Sequence, residues 1–102
     1  MNCTLSAVVA LACALAFAGS RAYAYTGENL ESQAHVKMTE ALALASTARP
    51  GKVTDRELER ENGGSGLRYS FDIVSDGNIY EVGIDAMTGK VLENAPEGKN
   101  PD

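Results

Sequence analysis

Two stretches of alternating residues meet at an Asp-Gly pair, and this constrains the chain more than any other feature. Leu67, Tyr69, Phe71 and Ile73 alternate with Arg68, Ser70 and Asp72, and Tyr80, Val82 and Ile84 share one parity of the stretch 79–85. A period of two is the mark of a strand with one buried face. Between the stretches lies Ser75-Asp76-Gly77-Asn78. Asp-Gly suits the two central positions of a tight hairpin, both of which need a positive φ. Turning there pairs Ile73 with Tyr80, Phe71 with Val82 and Tyr69 with Ile84, with all six on one face. The neighbouring choice, Gly77-Asn78, shifts the pairing by two and leaves the faces unchanged, because side-chain direction repeats every second residue. Phe71 is therefore expected in the core and Ser70 on the solvent side.

The apolar face needs a cover, and the segment before it supplies one. Ala41, Leu44, Ala45 and Ala48 recur at three- and four-residue spacing, with Leu42 alongside, which predicts a helix with a narrow apolar stripe. Thr39 is the expected cap and Glu40 suits the positive end of the helix. Pro50-Gly51 stops it. In Lys52 to Glu61 the only apolar residues are Val53 and Leu58, which five apart cannot share a face of a regular strand. Either a bulge intervenes or the strand covers only 56–61. Its dense charge suits a sheet edge. Asn62-Gly63-Gly64-Ser65-Gly66 reads as a hairpin loop, and Ala86-Met87-Thr88-Gly89 as a turn leading to a fourth short strand, Lys90 to Glu93. The expected fold is α+β, with one N-terminal helix packed on a three- to four-stranded antiparallel meander.

Both ends differ from this middle. Leu5 to Ala18 is an almost unbroken run of Ala, Val and Leu, shorter than the roughly 20 residues a membrane span needs, and Ala22-Tyr23-Ala24 follows it. Residues 1–24 are expected to be a secretory signal cut after Ala24, with Ser20-Arg21-Ala22 as a second acceptable site. The amino-terminal stretch before the apolar run has no Lys or Arg. Residues 25–37 are polar and without a strong period, and are expected to form a flexible leader. Residues 94–102, with Pro96, Gly98 and Pro101, are expected to form a disordered tail. The folded unit is then 38–93, and the expected location is periplasmic or secreted, with no membrane attachment after cleavage.

Composition removes most kinds of chemistry. Both cysteines, Cys3 and Cys13, lie in the signal, so the mature chain offers no thiol. The single histidine, His35, lies in the leader, away from any serine and acid that would complete a triad, and a zinc site would need more such ligands. Asp72, Asp76 and Asn78 fit no calcium-loop spacing. Thr88-Gly89-Lys90 lacks the glycine-rich loop of a phosphate cradle. The net charge of -5 makes nucleic acid a poor partner. No enzyme, cofactor or metal site is expected.

The order of these elements is itself informative. The helix Glu40-Ala41-Leu42-Ala43-Leu44-Ala45 leads through Pro50-Gly51-Lys52-Val53 to Glu57-Leu58-Glu59-Arg60-Glu61. A strand centred on Tyr69, a Tyr80-Glu81-Val82 strand and Asp85-Ala86-Met87-Thr88-Gly89-Lys90-Val91-Leu92 follow. This resembles a PepSY domain over 38–93, most specifically in its Asp-Ala-x-Thr-Gly-x-Val ending. The resemblance implies an extracytoplasmic setting and, from the family's presence in propeptides of secreted metallopeptidases, a part in restraining a peptidase. No catalytic domain follows the motif, so action in trans is expected.

A binding surface is what remains. The sheet face away from the helix carries Arg68, Ser70, Asp72, Glu81 and Gly83, but also Val74 opposite Ile79, and Leu92 joins them if its strand has no bulge. Val74, Ile79 and Leu92 are the expected partner-binding residues. The expected partner is a protein. It is a peptidase if the domain is a peptidase regulator, and another envelope component or a second copy of the chain if it is a small binding or sensory module.

Overall fold

The computed structural model describes residues 25–98. The expected signal, 1–24, and the end of the expected tail, 99–102, lie outside the described residues. A 3-10 helix, Glu28–Gln33, precedes one α-helix, α1 (Met38–Ala48). Four strands follow: β1 (Lys52–Arg60), β2 (Leu67–Ser75), β3 (Asn78–Asp85) and β4 (Val91–Pro96). The strands form one antiparallel sheet in the order β1-β2-β3-β4. This is the expected α+β meander with its fourth strand present.

The central hairpin turns at Asp76-Gly77, with φ of 52° and 79°, and pairs Ile73 with Tyr80, Phe71 with Val82 and Tyr69 with Ile84. Tyr69, Phe71, Ile73, Val82 and Ile84 are fully buried, and α1 lies on them through Ala41 and Ala45. Alanine at both contacts lets the helix backbone come close to the sheet. Tyr80, at the end of this face, is half-buried and carries the Arg49 guanidinium 3.7 Å from its ring centroid.

Val53 and Leu58 share the helix side because the register shifts between Val53 and Asp55. The bulge there gives β1 a full run from Lys52, and the shorter alternative, 56–61, is not what forms. The helix begins at Met38, one residue before the expected cap. Thr39 makes no cap; instead Glu31 reaches back from the 3-10 helix, and its Oε2 accepts from the Met38 amide at 3.2 Å.

Two expectations about the ends need correction. Residues 25–37 are not a loose leader. Tyr25, Ala34 and Val36 are buried in the core, Tyr25 donates its hydroxyl to Glu31, and Tyr69 donates to the Val36 carbonyl at 2.6 Å. Gly27 makes this docking feasible: at φ 87° its Cα lies so near the Leu58 carbonyl that a Cβ would overlap it. The stretch 94–96 is likewise part of β4 rather than tail. Asn94 ties β4 to the end of α1, donating to the Ala48 carbonyl and accepting from Arg49 Nε, each at 3.1 Å. Pro96 is tolerated because β4 is an edge strand.

Candidate functional site

The helix and leader cover one face of the sheet and leave the other open. Register places Asp55, Glu57 and Glu59 of β1, Asp72 of β2, Glu81 of β3 and Glu93 of β4 on that open face, against Lys52 and Arg68. Asp72 stands directly opposite both Asp55 and Glu81, a row of like charges that costs the sheet stability. Partial burial, followed by the charges of Glu97 and Asp55, pushes the Asp72 carboxyl above its ordinary value. Among the described residues no three His, Asp or Glu side chains are placed to hold a metal ion.

Arg68 crosses the open face flat against Gly83, where a Cβ would meet its Cδ at 2.9 Å. Its Nη1 lies 3.6 Å from Glu61 and 3.5 Å from Glu93, and its Nη2 donates to the Asn62 carbonyl at 3.1 Å. The Nε is buried without a partner. Ser70, paired with Glu57 and Gly83 in the sheet, is only 7% exposed and donates to Glu59 at 3.1 Å. The expectation of a solvated Ser70 is therefore corrected: it faces away from the helix, yet it is buried.

One end of this face is fastened by Asp85. Its Oδ2 accepts the Ser65 amide at 2.7 Å, and its Oδ1 accepts the Ser65 hydroxyl and the Met87 amide at 2.8 Å and the Thr88 amide at 3.2 Å. Burial by itself would raise this carboxyl, but the hydrogen bonds from Met87, Ser65 and Thr88 outweigh it and hold Asp85 below its usual value. The Asp-Ala-x-Thr-Gly run thus has a physical task. Asp85 caps its own turn and holds the glycine loop, while Gly89, at φ 79°, closes the turn through a 2.9 Å bond to the Asp85 carbonyl.

Of the expected partner-binding residues, the structure brings two together and sets one apart. Val74 pairs with Ile79, which is 45% exposed, beside the Asp76-Gly77 turn. The register of β3 and β4 shifts between Gly83 and Ile84, leaving Leu92 without a paired residue. Leu92 packs instead beside Gly64, at the end fastened by Asp85. The condition for Leu92 to join the apolar pair, a strand without a bulge, is not met.

Sequence reasoning missed a second place, at the outer edge of β1. Thr26 forms a parallel bridge with Glu57, and its carbonyl accepts the Leu58 amide at 2.9 Å. Next to it is an open groove of about 510 Å³, lined by Tyr25, Thr26, Leu42 and Ser46 and by β1 from Val53 to Arg56. Its signal in the sequence was slight: Tyr25 is an apolar residue in a stretch otherwise too polar to suggest packing.

The described residues thus form one α-helix on a four-stranded antiparallel meander with one sheet face left open. The profile of the family described as "Peptidase propeptide and YPEB domain" (PepSY) matches residues 37–94, and the chain belongs to that family. No curated protein and no solved structure matches it. PepSY domains are generally non-catalytic, propeptide- or inhibitor-like modules and typically extracytoplasmic. Among the described residues no helix is long and apolar enough to cross a membrane.

Proposed function

We propose that this protein is a non-enzymatic module of the cell envelope or its exterior that binds a peptidase and restrains it. The observation that carries the reading is the open sheet face, where Val74 and Ile79 form an apolar pair at the margin of a field of carboxylates. An apolar anchor flanked by one sign of charge suits a partner surface with an exposed apolar residue among lysines or arginines. The charge aligns the partner and the apolar contact holds it. The family's occurrence in peptidase propeptides supports a peptidase as that partner.

The test is inhibition of peptidases from the same envelope fraction by the purified chain beginning at Tyr25, measured at low and high salt. Inhibition should weaken as salt rises. Replacing both Val74 and Ile79 with Ser should abolish it while the circular dichroism spectrum stays unchanged. Full inhibition by the folded double variant would remove this face from the function. A concentration-dependent dimer with no effect on any peptidase would favour self-association on the same face.

A further inference from the structure

The loop between β1 and β2 holds a reactive peptide bond that binding through the open face does not use. Asn62 is exposed and is followed by Gly63. Asn29, Asn78 and Asn94 are followed instead by Leu30, Ile79 and Ala95. An asparagine loses its side-chain amide when the next backbone nitrogen attacks its Cγ, and a Cβ on that next residue hinders the approach. Glycine has none. The Gly63 amide donates to no backbone acceptor among the described residues, so no such bond holds it away from the attack. An open hollow of about 540 Å³ lined by residues 60–66 lets water reach the bond.

Arg68 stands where it can help. The attack requires the Gly63 nitrogen to give up its proton, and the negative charge that develops on the peptide group resides largely on the Asn62 carbonyl oxygen. That oxygen already accepts from Arg68 Nη2 at 3.1 Å. A Cβ at Gly63 would stand 2.9 Å from the same Nη2, so the guanidinium lies against the reacting peptide. A fixed cationic donor aimed at a developing oxyanion lowers the barrier to forming it.

We propose that Asn62 is a site of self-modification, promoted by Arg68 and leading mainly to isoaspartate. The Gly63 nitrogen forms a bond to Cγ, the Cγ–Nδ2 bond breaks, and Nδ2 leaves as ammonia with the proton from Gly63. Water then opens the resulting cyclic imide at one of its two carbonyls: its hydroxyl joins the carbonyl carbon and its proton returns to the Gly63 nitrogen. Arg68 polarises the former backbone carbonyl and directs the water there. The main chain now runs through the side-chain carbons, and the oxygen held by Arg68 belongs to a free carboxylate, a stronger acceptor. Each conversion adds a negative charge beside Glu61 and Glu93, which already share Arg68, and lengthens the loop that Asp85 fastens.

The test is to hold the purified protein at mildly alkaline pH and follow the tryptic peptide 61–68, released by cuts after Arg60 and Arg68, by mass spectrometry and isoaspartyl methylation. Asn62 should convert well before Asn29, Asn78 and Asn94, with isoaspartate exceeding aspartate. Arg68→Lys should slow the conversion about ten-fold, the loss of one hydrogen bond to a developing charge, and shift the product toward aspartate. The wild-type chain unfolded in guanidinium chloride should show the same lower share of isoaspartate, a comparison that stands even where the variant does not fold. An Asn62 that stays intact overturns the proposal. So does conversion at the wild-type rate in a folded Arg68→Lys, or a share of isoaspartate that unfolding leaves unchanged.

Discussion

Asp85 and Ser65, 20 residues apart in the chain, are joined by two hydrogen bonds, one from the serine amide and one from its hydroxyl, to the two oxygens of a single buried carboxylate. The same carboxylate caps the turn after β3, so one side chain locks two loops.

Asp85→Asn should therefore lower stability by about 1.5–3 kcal/mol near neutral pH, the range for hydrogen bonds to a charged group. The folded carboxyl titrates below its unfolded value, so its contribution is complete above the unfolded pKa of about 3.9 and drains away as pH falls through the folded one. Thermal melts of the two proteins should converge in acid. A gap that stays constant down to about pH 2 would mean that the shape of the side chain matters, not its charge.

Phe71→Ala should cost about 3–5 kcal/mol, because the ring is fully buried beneath α1. Ser70→Ala should cost about 1 kcal/mol, the worth of its hydrogen bond to Glu59. Denaturant titrations measure both. A neutral Ser70→Ala would show that this face is wetter than its 7% exposure indicates.

Asp72→Asn should raise stability by a few tenths of a kcal/mol at pH 7, by relieving the carboxylate row on the open face. The sign follows from the raised pKa. The ionised form is penalised in the fold above the folded pKa, and the penalty vanishes once pH falls below the unfolded one. The gain should be absent at about pH 3. If the open face binds a basic partner, the same variant should bind it more weakly, a trade of stability for function that melts and binding measurements read together.

Tyr69 is pushed up to about 12, first by burial and then by the charge of Glu31. Its protonated hydroxyl holds the Val36 carbonyl. This contribution is complete below the unfolded value of about 10 and is lost as pH rises through 12. Phenolate absorbance should show Tyr69 ionising together with alkaline unfolding. Tyr69→Phe should be less stable at pH 7 and less sensitive to alkali; equal sensitivity would assign the alkaline transition to another group.

The central hairpin was legible because two independent codes, alternation and the Asp-Gly pair, point to the same register. The bulge near Thr54 was legible only as an alternative, since the five-residue spacing of Val53 and Leu58 demanded an irregularity without locating it. The docked leader was hidden for a different reason. It is held by main-chain approach at Gly27, by one carboxylate, Glu31, and by hydrogen bonds from tertiary neighbours, none of which leaves a periodic trace. Leu92 was misplaced because a bulge in β4 follows from three-dimensional pairing and not from local pattern. The acidic residues were visible, and regular alternation with the buried Leu58 is what puts Asp55, Glu57 and Glu59 on the open face.

The two ends of the sheet are held unequally. At one end Asp85 stitches the glycine loop to the turn after β3; at the other the Asp76-Gly77 tip has nothing within 4 Å of where a Gly77 Cβ would stand. Thermal opening should therefore begin in the turn residues rather than in the strands they join. Val74 and Ile79 stand just inside that turn and are still tied to their neighbours, Val74 by its pairing with Lys52 and Ile79 by the Glu97 amide on its carbonyl at 2.8 Å, so a partner meets a preset apolar pair beside a turn that can yield.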